Sequence, residues 1–295
     1  MNTEIIEIDD LMERSKRLLA DLLDREMSKE NRYVALRNEM GTIKVGGIEK
    51  TIPSYITNHG LNWVGTNIKF GIQMPLMETK IDEKGRLIID KDNAEEVQQR
   101  APDWSRQIAL TAYLIHESAR KFGTILAVVS PPWIDDPNHE NWGKDGRALK
   151  SSVEYKSLDS AGKIGELNLN STTLYALDGQ HRVMGIRGVQ QLREGKITDK
   201  KRDGRDGDKT YSRDEFLFEL KSDITHLQKV LNEQIPVEYI PAVITGETRE
   251  EATRRIRSVF VHINSYAKKT VKGEEILLDE SSGFAITARS IAVNH

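Results

Sequence analysis

Five consecutive residues, Asp178-Gly179-Gln180-His181-Arg182, gather a carboxylate, an amide, an imidazole and a guanidinium around one glycine. Before them, Leu174-Tyr175-Ala176-Leu177 is an apolar and aromatic run of strand length, and from His181 onward the residues regain helix-forming character. The pattern predicts strand, tight turn, helix. Such a turn sets the amides of a helix's first turn, and the positive end of its dipole, beside a glycine that lets a ligand approach the backbone. Asp178 could cap the helix, Arg182 could grip phosphate oxygens with its planar fork, and His181 could donate to the same oxygens or move a proton near neutral pH. That is the chemistry of a phosphate cradle. Asp-Gly also reads as an ordinary turn, with His181 a partly buried histidine and Arg182 a surface residue; the flanking strand and helix favour the cradle.

The pentapeptide is the motif that names the DGQHR-domain proteins, which include the DndB proteins of DNA phosphorothioation gene clusters, and the chain resembles them at a second place. Val259-Phe260-Val261-His262-Ile263-Asn264-Ser265-Tyr266-Ala267-Lys268-Lys269, then Glu275-Ile276-Leu277-Leu278-Asp279-Glu280 and Phe284-Ala285-Ile286-Thr287-Ala288-Arg289, are similar to the DndB helix, Ile-Asn turn, basic pair and Leu-Leu-Asp segment. The two matches bracket roughly the C-terminal half in a fixed order; no motif of comparable strength marks the first hundred residues.

The resemblance implies an α+β fold: a ParB/sulfiredoxin-like core of mixed sheet flanked by helices, with added N- and C-terminal helices. It implies a core domain over 101–295, shorter at its C-terminus than a full family member, preceded by a packed region over 1–100. It further implies a DNA-associated regulator of a phosphorothioation-type modification or defence system. Such a regulator would bind a nucleoside triphosphate with Mg2+ at the turn, hydrolysis being left open. Under it Arg182 and His181 hold phosphates, Gly179 permits approach, Gln180 orients a ligand or water, and Asp178 braces the turn or helps hold a metal. Arg187, Asn264 and Lys268 are the further nucleotide contacts it implies. Double-stranded DNA, a second copy of the chain and other proteins of the modification system are its partners. The alternative is a ParB-like nuclease or DNA-modifying enzyme that holds a DNA phosphate at the same turn. A nuclease normally needs several carboxylates around a metal, and only Asp178, Glu275 and Asp279 offer themselves.

Composition narrows the classes. The chain has 295 residues, 38% hydrophobic and 30% charged, in the range of a soluble globular protein. Lys and Arg total 43 against 46 Asp and Glu, so DNA binding would need a local basic patch. With no cysteine there is no disulfide framework, thiol nucleophile or thiolate zinc site, and sulfiredoxin's own chemistry is excluded. The histidines show no metal-ligand spacing, and no P-loop, dinucleotide turn or His-Glu-x-x-His is present. No apolar run reaches membrane length and the acidic start is not a signal peptide, so a cytoplasmic address is expected.

The rest of the chain supplies the frame for this turn. Asp9 or Asp10 opens a helix with Leu11, Leu18, Leu19, Leu22 and Leu23 on one stripe. Short segments punctuated by glycine run from Gly41 to Gly71, and Phe70 to Met74 reads as a strand ended by Pro75. Residues 81–89 look like a peripheral hairpin. Asp103 caps a helix whose Trp104, Ile108, Ala112, Ile115, Ala119 and Phe122 recur at helical spacing until Gly123. Ile125 to Val129 reads as a central strand closed by Pro131-Pro132, followed by a Trp-containing excursion over 133–149, read as a loop over the site or a plain surface loop. Lys196 to Lys209, a mixed charge run, reads as an unstructured loop with Lys200, Lys201, Arg202 and Arg205 as minority DNA contacts. Pro236 and Pro241 place the strand between Ile235 and Ile244 at an edge or bend. Thr248 and Glu251 form a capping box opening a helix whose Arg249, Arg254, Arg255 and Arg257 are read evenly as phosphate contacts or surface arginines, with Asn264 at its end.

Overall fold

The computed structural model describes residues 31–77 and 102–265, together with residues 14, 16, 17 and 20. The apolar stripe of the expected N-terminal helix and the expected hairpin over 81–89 lie outside the described residues. The chain forms two compact units, one over 1–257 and the other over 258–295.

Two long strands begin the described part of the first unit, β1 (Arg32–Val45) and β2 (Ile48–Gly60), joined at Gly46-Gly47. Both glycines have positive φ, 57° and 85°, as a two-residue hairpin turn that follows strand twist requires. A short helix α1 (Leu61–Asn67) leads into β3 (Ile68–Phe70), and helix α2 (Gln107–His116) precedes β4 (Ile125–Ser130). Then come β5 (Glu154–Ser157), β6 (Ile164–Asn168), β7 (Thr173–Asp178) and helix α3 (Gln180–Glu194). A hairpin of β8 (Lys196–Lys200) and β9 (Asp206–Ser212), helices α4 (Arg213–Glu219) and α5 (Ile224–Asn232), strand β10 (Gln234–Pro241) and helix α6 (Arg249–Ser265) complete the described chain.

The fold is mixed α+β: one eight-stranded mixed sheet in the order β3-β7-β4-β10-β2-β1-β6-β5, flanked by helices. β4 runs antiparallel to β7 and parallel to β10, with Leu126 opposite Asp178 and Ser130 opposite Thr173. Helix α3 buries Val183, Met184, Ile186, Val189 and Leu192 in the core shared with β3, β4, β7 and β10. Its two internal glycines let α2 come close. A Cβ at Gly188 would fall 1.9 Å from Thr111 Oγ1, and one at Gly185 2.8 Å from Leu110 Cβ. In that seam Thr111 Oγ1 donates to Gln107 O at 2.8 Å, so its buried hydroxyl is satisfied within its own helix.

Several expectations are corrected. The strand after Ile68 stops at Phe70, and Gly71–Gln73 form a 3-10 turn in which Gln73 Oε1 accepts the Phe70 amide at 3.1 Å. The stretch from Gly41 is not a set of short pieces but part of the two longest strands. The helix after Asp103 starts as a 3-10 turn at Trp104–Arg106 and ends at His116, seven residues before Gly123. Beyond it Glu117 Oε1 accepts the Ala119 amide at 3.2 Å, and Arg120 Nη1 donates back to Glu117 O at 2.9 Å. These side-chain bonds give the backbone an alternative to the next helical turn.

The charge run is a hairpin, not an unstructured loop. Ile197 is buried, Thr198 faces Thr210 at 2.9 Å, and Gly204 at φ 89° closes the tip. Nor is β10 at an edge: it lies between β4 and β2. Pro236 pairs with Asn58 of β2, one residue before pairing with β4 begins at Val237, so its missing N–H deprives no β4 acceptor. The predicted capping box is present: Glu251 N donates to Thr248 Oγ1 at 3.2 Å and Thr248 N to Glu251 Oε2 at 3.0 Å. Arg255 is neither a surface nor a phosphate arginine. Only 8% exposed, it donates Nε and Nη2 to Glu247 at 2.7 and 2.8 Å and also bonds the carbonyls of Pro241 and Ala242.

Candidate functional site at the Asp178–Arg182 turn

Strand β7 delivers Asp178 to the end of its pairing with β4. Gly179 then takes φ 84° and ψ 14°, and α3 begins at Gln180. That left-handed conformation reverses the chain within one residue, which a Cβ would oppose. Asp178 does not cap the helix: Gly179 stands at the cap position, and no side chain bonds the first-turn amides. The first helical bond is Val183 N to Gly179 O at 3.0 Å, which leaves the amides of Gln180, His181 and Arg182 without a helical acceptor.

Asp178 instead holds Arg182. Nη1 donates to Asp178 Oδ2 at 3.1 Å and to Thr124 O at 2.9 Å. The guanidinium lies across Gly179, where a Cβ would come 2.9 Å from Nη1, and against Gly123, where one would come 3.5 Å from Nη2. Its Nε and Nη2 have no hydrogen-bond partner among the described residues. Arg182 is thus fixed at one nitrogen, and its side chain is 30% exposed.

His181 has a different task. Its Nε2 accepts the Asp103 amide at 3.1 Å, so in the neutral ring the hydrogen sits on Nδ1. Burial lowers its pKa below the ordinary 6.5, the Arg106 charge lowers it further, and Asp103 and Asp178 work against both. The ring is neutral at pH 7 and offers a single donor. Gln180 lies toward Gly71, whose Cβ would come 3.7 Å from Nε2, and its Oε1 is buried without a partner among the described residues.

Arg187 points its donors inward. Nε donates to Gly65 O at 3.0 Å and Nη2 to Ile68 O at 2.8 Å, with the guanidinium 4.6 Å from the centre of the Phe70 ring. These bonds engage two of its five N–H donors. Asn264 is helical, within α6, but its side chain lies outside the described residues, as do Lys268, Glu275 and Asp279.

Two segments the turn does not reveal by local pattern sit beside it. Asp103 caps its own 3-10 turn through the Ser105 amide, accepts a 2.6 Å bond from the Ser105 hydroxyl that is the main cause of its lowered pKa, and meets His181 from 78 positions away. The β8–β9 tip then packs on this strap. Trp104 N donates to Arg202 O at 3.3 Å, the Trp104 ring covers Gly204, and Arg202 Nε stands 3.9 Å from Asp103 Oδ2. Arg202 and Arg205 project with side chains 87% and 77% exposed. The Trp-containing excursion, by contrast, leaves the far end of β4. Five residues of strand separate Thr173 from Asp178, roughly 17 Å at ~3.4 Å per residue, so that loop does not cover the turn.

A Mg2+ ion fits these residues only as a companion of bound phosphate. Asp178 Oδ2 is taken by Arg182, which leaves Oδ1 as an acceptor, and no group of three His, Asp or Glu able to hold a metal occurs among the described residues. Mg2+ commonly takes one or two carboxylates and fills its remaining positions with phosphate and water. Among the described residues no helix is long and apolar enough to cross a membrane. No family model matches the chain, and neither curated proteins nor solved structures give a match, so the DGQHR resemblance rests on the motif residues alone.

Proposed function

We propose that the chain is a DNA-associated regulatory protein of a DNA-modification system and that the Asp178–Arg182 turn holds the phosphates of a nucleoside triphosphate. The observation that carries this reading is Arg182, anchored through Nη1 with its Nε–Nη2 edge open beside the uncapped amides of α3. Amides and dipole favour an anion there, and the guanidinium edge can meet two phosphate oxygens at once. His181 adds a neutral Nδ1 donor. Asp178 Oδ1 would be the protein ligand of a Mg2+ that arrives with the nucleotide, where the ion would neutralise phosphate charge. The exposed cations at the β8–β9 tip, Lys201, Arg202 and Arg205, offer the nearest surface for a DNA backbone.

Calorimetry of ATP, GTP and CTP with Mg2+ tests the reading on wild type, Arg182→Ala and Arg182→Lys, with circular dichroism to check folding. Micromolar binding is expected for at least one nucleotide. Loss of a charged bidentate contact should weaken it by about ten- to a hundredfold in the alanine variant, and lysine, a point charge without the fork, should restore only part. Wild-type protein that binds none of the three sinks the proposal. Cleavage of DNA without nucleotide would favour the nuclease reading.

A further inference from the structure

At the opposite end of β4, three segments converge: the one leaving that strand, the one entering β5, and the link from β6 to β7. They enclose a cleft of about 440 Å3, in the size range of small-molecule sites. One wall is apolar, made by Pro131, Pro132 and Trp133. The polar part of the lining is Asp136, His139, Lys150, Glu154, Asn168 and Thr172.

These polar groups are held in place by bonds that leave part of each free. His139 Nδ1 accepts the Asn141 amide at 3.2 Å, so a neutral ring carries its hydrogen on Nε2 as a donor. Asp136 Oδ1 accepts the Asn138 amide at 3.0 Å, leaving Oδ2 as an acceptor. Glu154 accepts from Asn168 Nδ2 at 2.9 Å and stands 3.7 Å from Lys150 Nζ. Thr172 donates to Leu169 O at 2.8 Å, so its oxygen can still accept. Ser171, on the rim, holds φ at 53°, a conformation that a non-glycine residue keeps only where its surroundings impose it.

The chemistry discriminates among ligands. One ammonium against two carboxylates gives an anion no net attraction. A planar base would need an open aromatic face to stack on, and Trp133 is only 8% exposed, with the Trp142 ring 5.3 Å and the His139 ring 6.3 Å from its own. A sugar ring needs no flat partner: its C–H face can lie on the prolines, and its hydroxyls, each donor and acceptor, match the mixed polar lining.

We propose that this cleft binds a neutral saccharide of one or two rings. The inference does not rest on the nucleotide reading. Saturation-transfer NMR and calorimetry with a panel of neutral pentoses, hexoses and disaccharides test it on wild type, Asp136→Ala, His139→Ala and Arg182→Ala. At least one sugar should bind with a dissociation constant on the order of 1 mM or below. Removing a charged or ring N–H partner should weaken that binding by about tenfold or more, and Arg182→Ala should leave it unchanged. No binding by any sugar, binding insensitive to both cleft substitutions, or preferential binding of inorganic phosphate or free nucleosides at these residues would overturn the proposal.

Discussion

Replacing Gly179 with alanine should report directly on how Arg182 is seated. A left-handed L-residue costs roughly 1–2 kcal/mol for backbone alone. The new Cβ would also stand 2.9 Å from Arg182 Nη1 and 3.0 Å from Ile125 Cγ1. Ile125 is fully buried in β4, so the flexible guanidinium is the group that gives way, losing the Thr124 carbonyl and Asp178. One neutral-acceptor bond contributes about 0.5–1.5 kcal/mol, and a partly exposed ion pair about 0–1 kcal/mol. Urea denaturation should therefore show Gly179→Ala destabilised by roughly 2–4 kcal/mol in total. Gly146→Ala, at φ 73° with nothing within 4 Å, isolates the backbone contribution. The difference between the two variants, about 1–2 kcal/mol, should shrink when both are made in an Arg182→Ala background, where only the 3.0 Å approach to Ile125 Cγ1 remains. If the two glycine variants are equally stable with Arg182 present, the guanidinium does not lie across the turn and the nucleotide reading loses its anchor.

Other consequences concern the interior. His59 is 3% exposed, stacks on Trp63, shares a 2.8 Å bond with the Tyr239 hydroxyl, and has its pKa lowered by burial to about 3. Below pH 6.5 the unfolded imidazole gains a proton that the folded one refuses until about pH 3. Stability is therefore complete above 6.5 and falls as pH drops, by about 1.4 kcal/mol per unit. His181 acts in the same direction. Urea melts at pH 7 and 5 should show a shallower pH dependence for His59→Gln, which keeps an acceptor for Tyr239; parallel slopes would refute the assignment. Glu247→Ala strands the buried Arg255 charge and should cost about 3–5 kcal/mol; a loss below ~1 kcal/mol would mean that the pair is solvated. Gly188→Ala drives a methyl group into Thr111 and should destabilise by about 1–3 kcal/mol, partly recovered by adding Thr111→Ala; absence of recovery would place the strain elsewhere.

The strand-turn-helix at 173–194 was legible because its signals are local: an apolar run, Asp-Gly, then helix formers. β4 and the Thr248–Glu251 box were legible for the same reason. What escaped depends on distant partners. β1 exposes much of its length to solvent, so its polar residues hide a strand that pairing with β2 and β6 secures. The run over 196–209 reads as solvated because of its charges, yet Ile197 buried under the pairing of β8 with β9 decides the outcome. Arg255 looks like its exposed neighbours until Glu247 is seen to return beneath it. Asp103 reads as a cap, but nothing in its neighbourhood announces His181. The prolines of β10 mislead because edge and centre differ only by which neighbour reaches them.

Chain order and spatial order disagree in this sheet, which bears on how the protein emerges from a ribosome. Domains generally assemble from the N-terminus as synthesis proceeds, yet among the described strands the last made, β10, is an interior one. Until it arrives, β2 and β4 each present an open row of backbone donors and acceptors, and the β1–β2 ribbon has no strand pairing with the β3-β7-β4 half that carries the turn. From the end of β4 at Ser130 until β10 begins at Gln234 the nascent chain carries two unpaired strand edges, the state most exposed to mispairing with other chains. Closure by long-range pairing is also intrinsically slow. Competence at the turn is thus gated by a strand made after it, and ribosome-stalled chains ending before residue 234 should remain protease-sensitive.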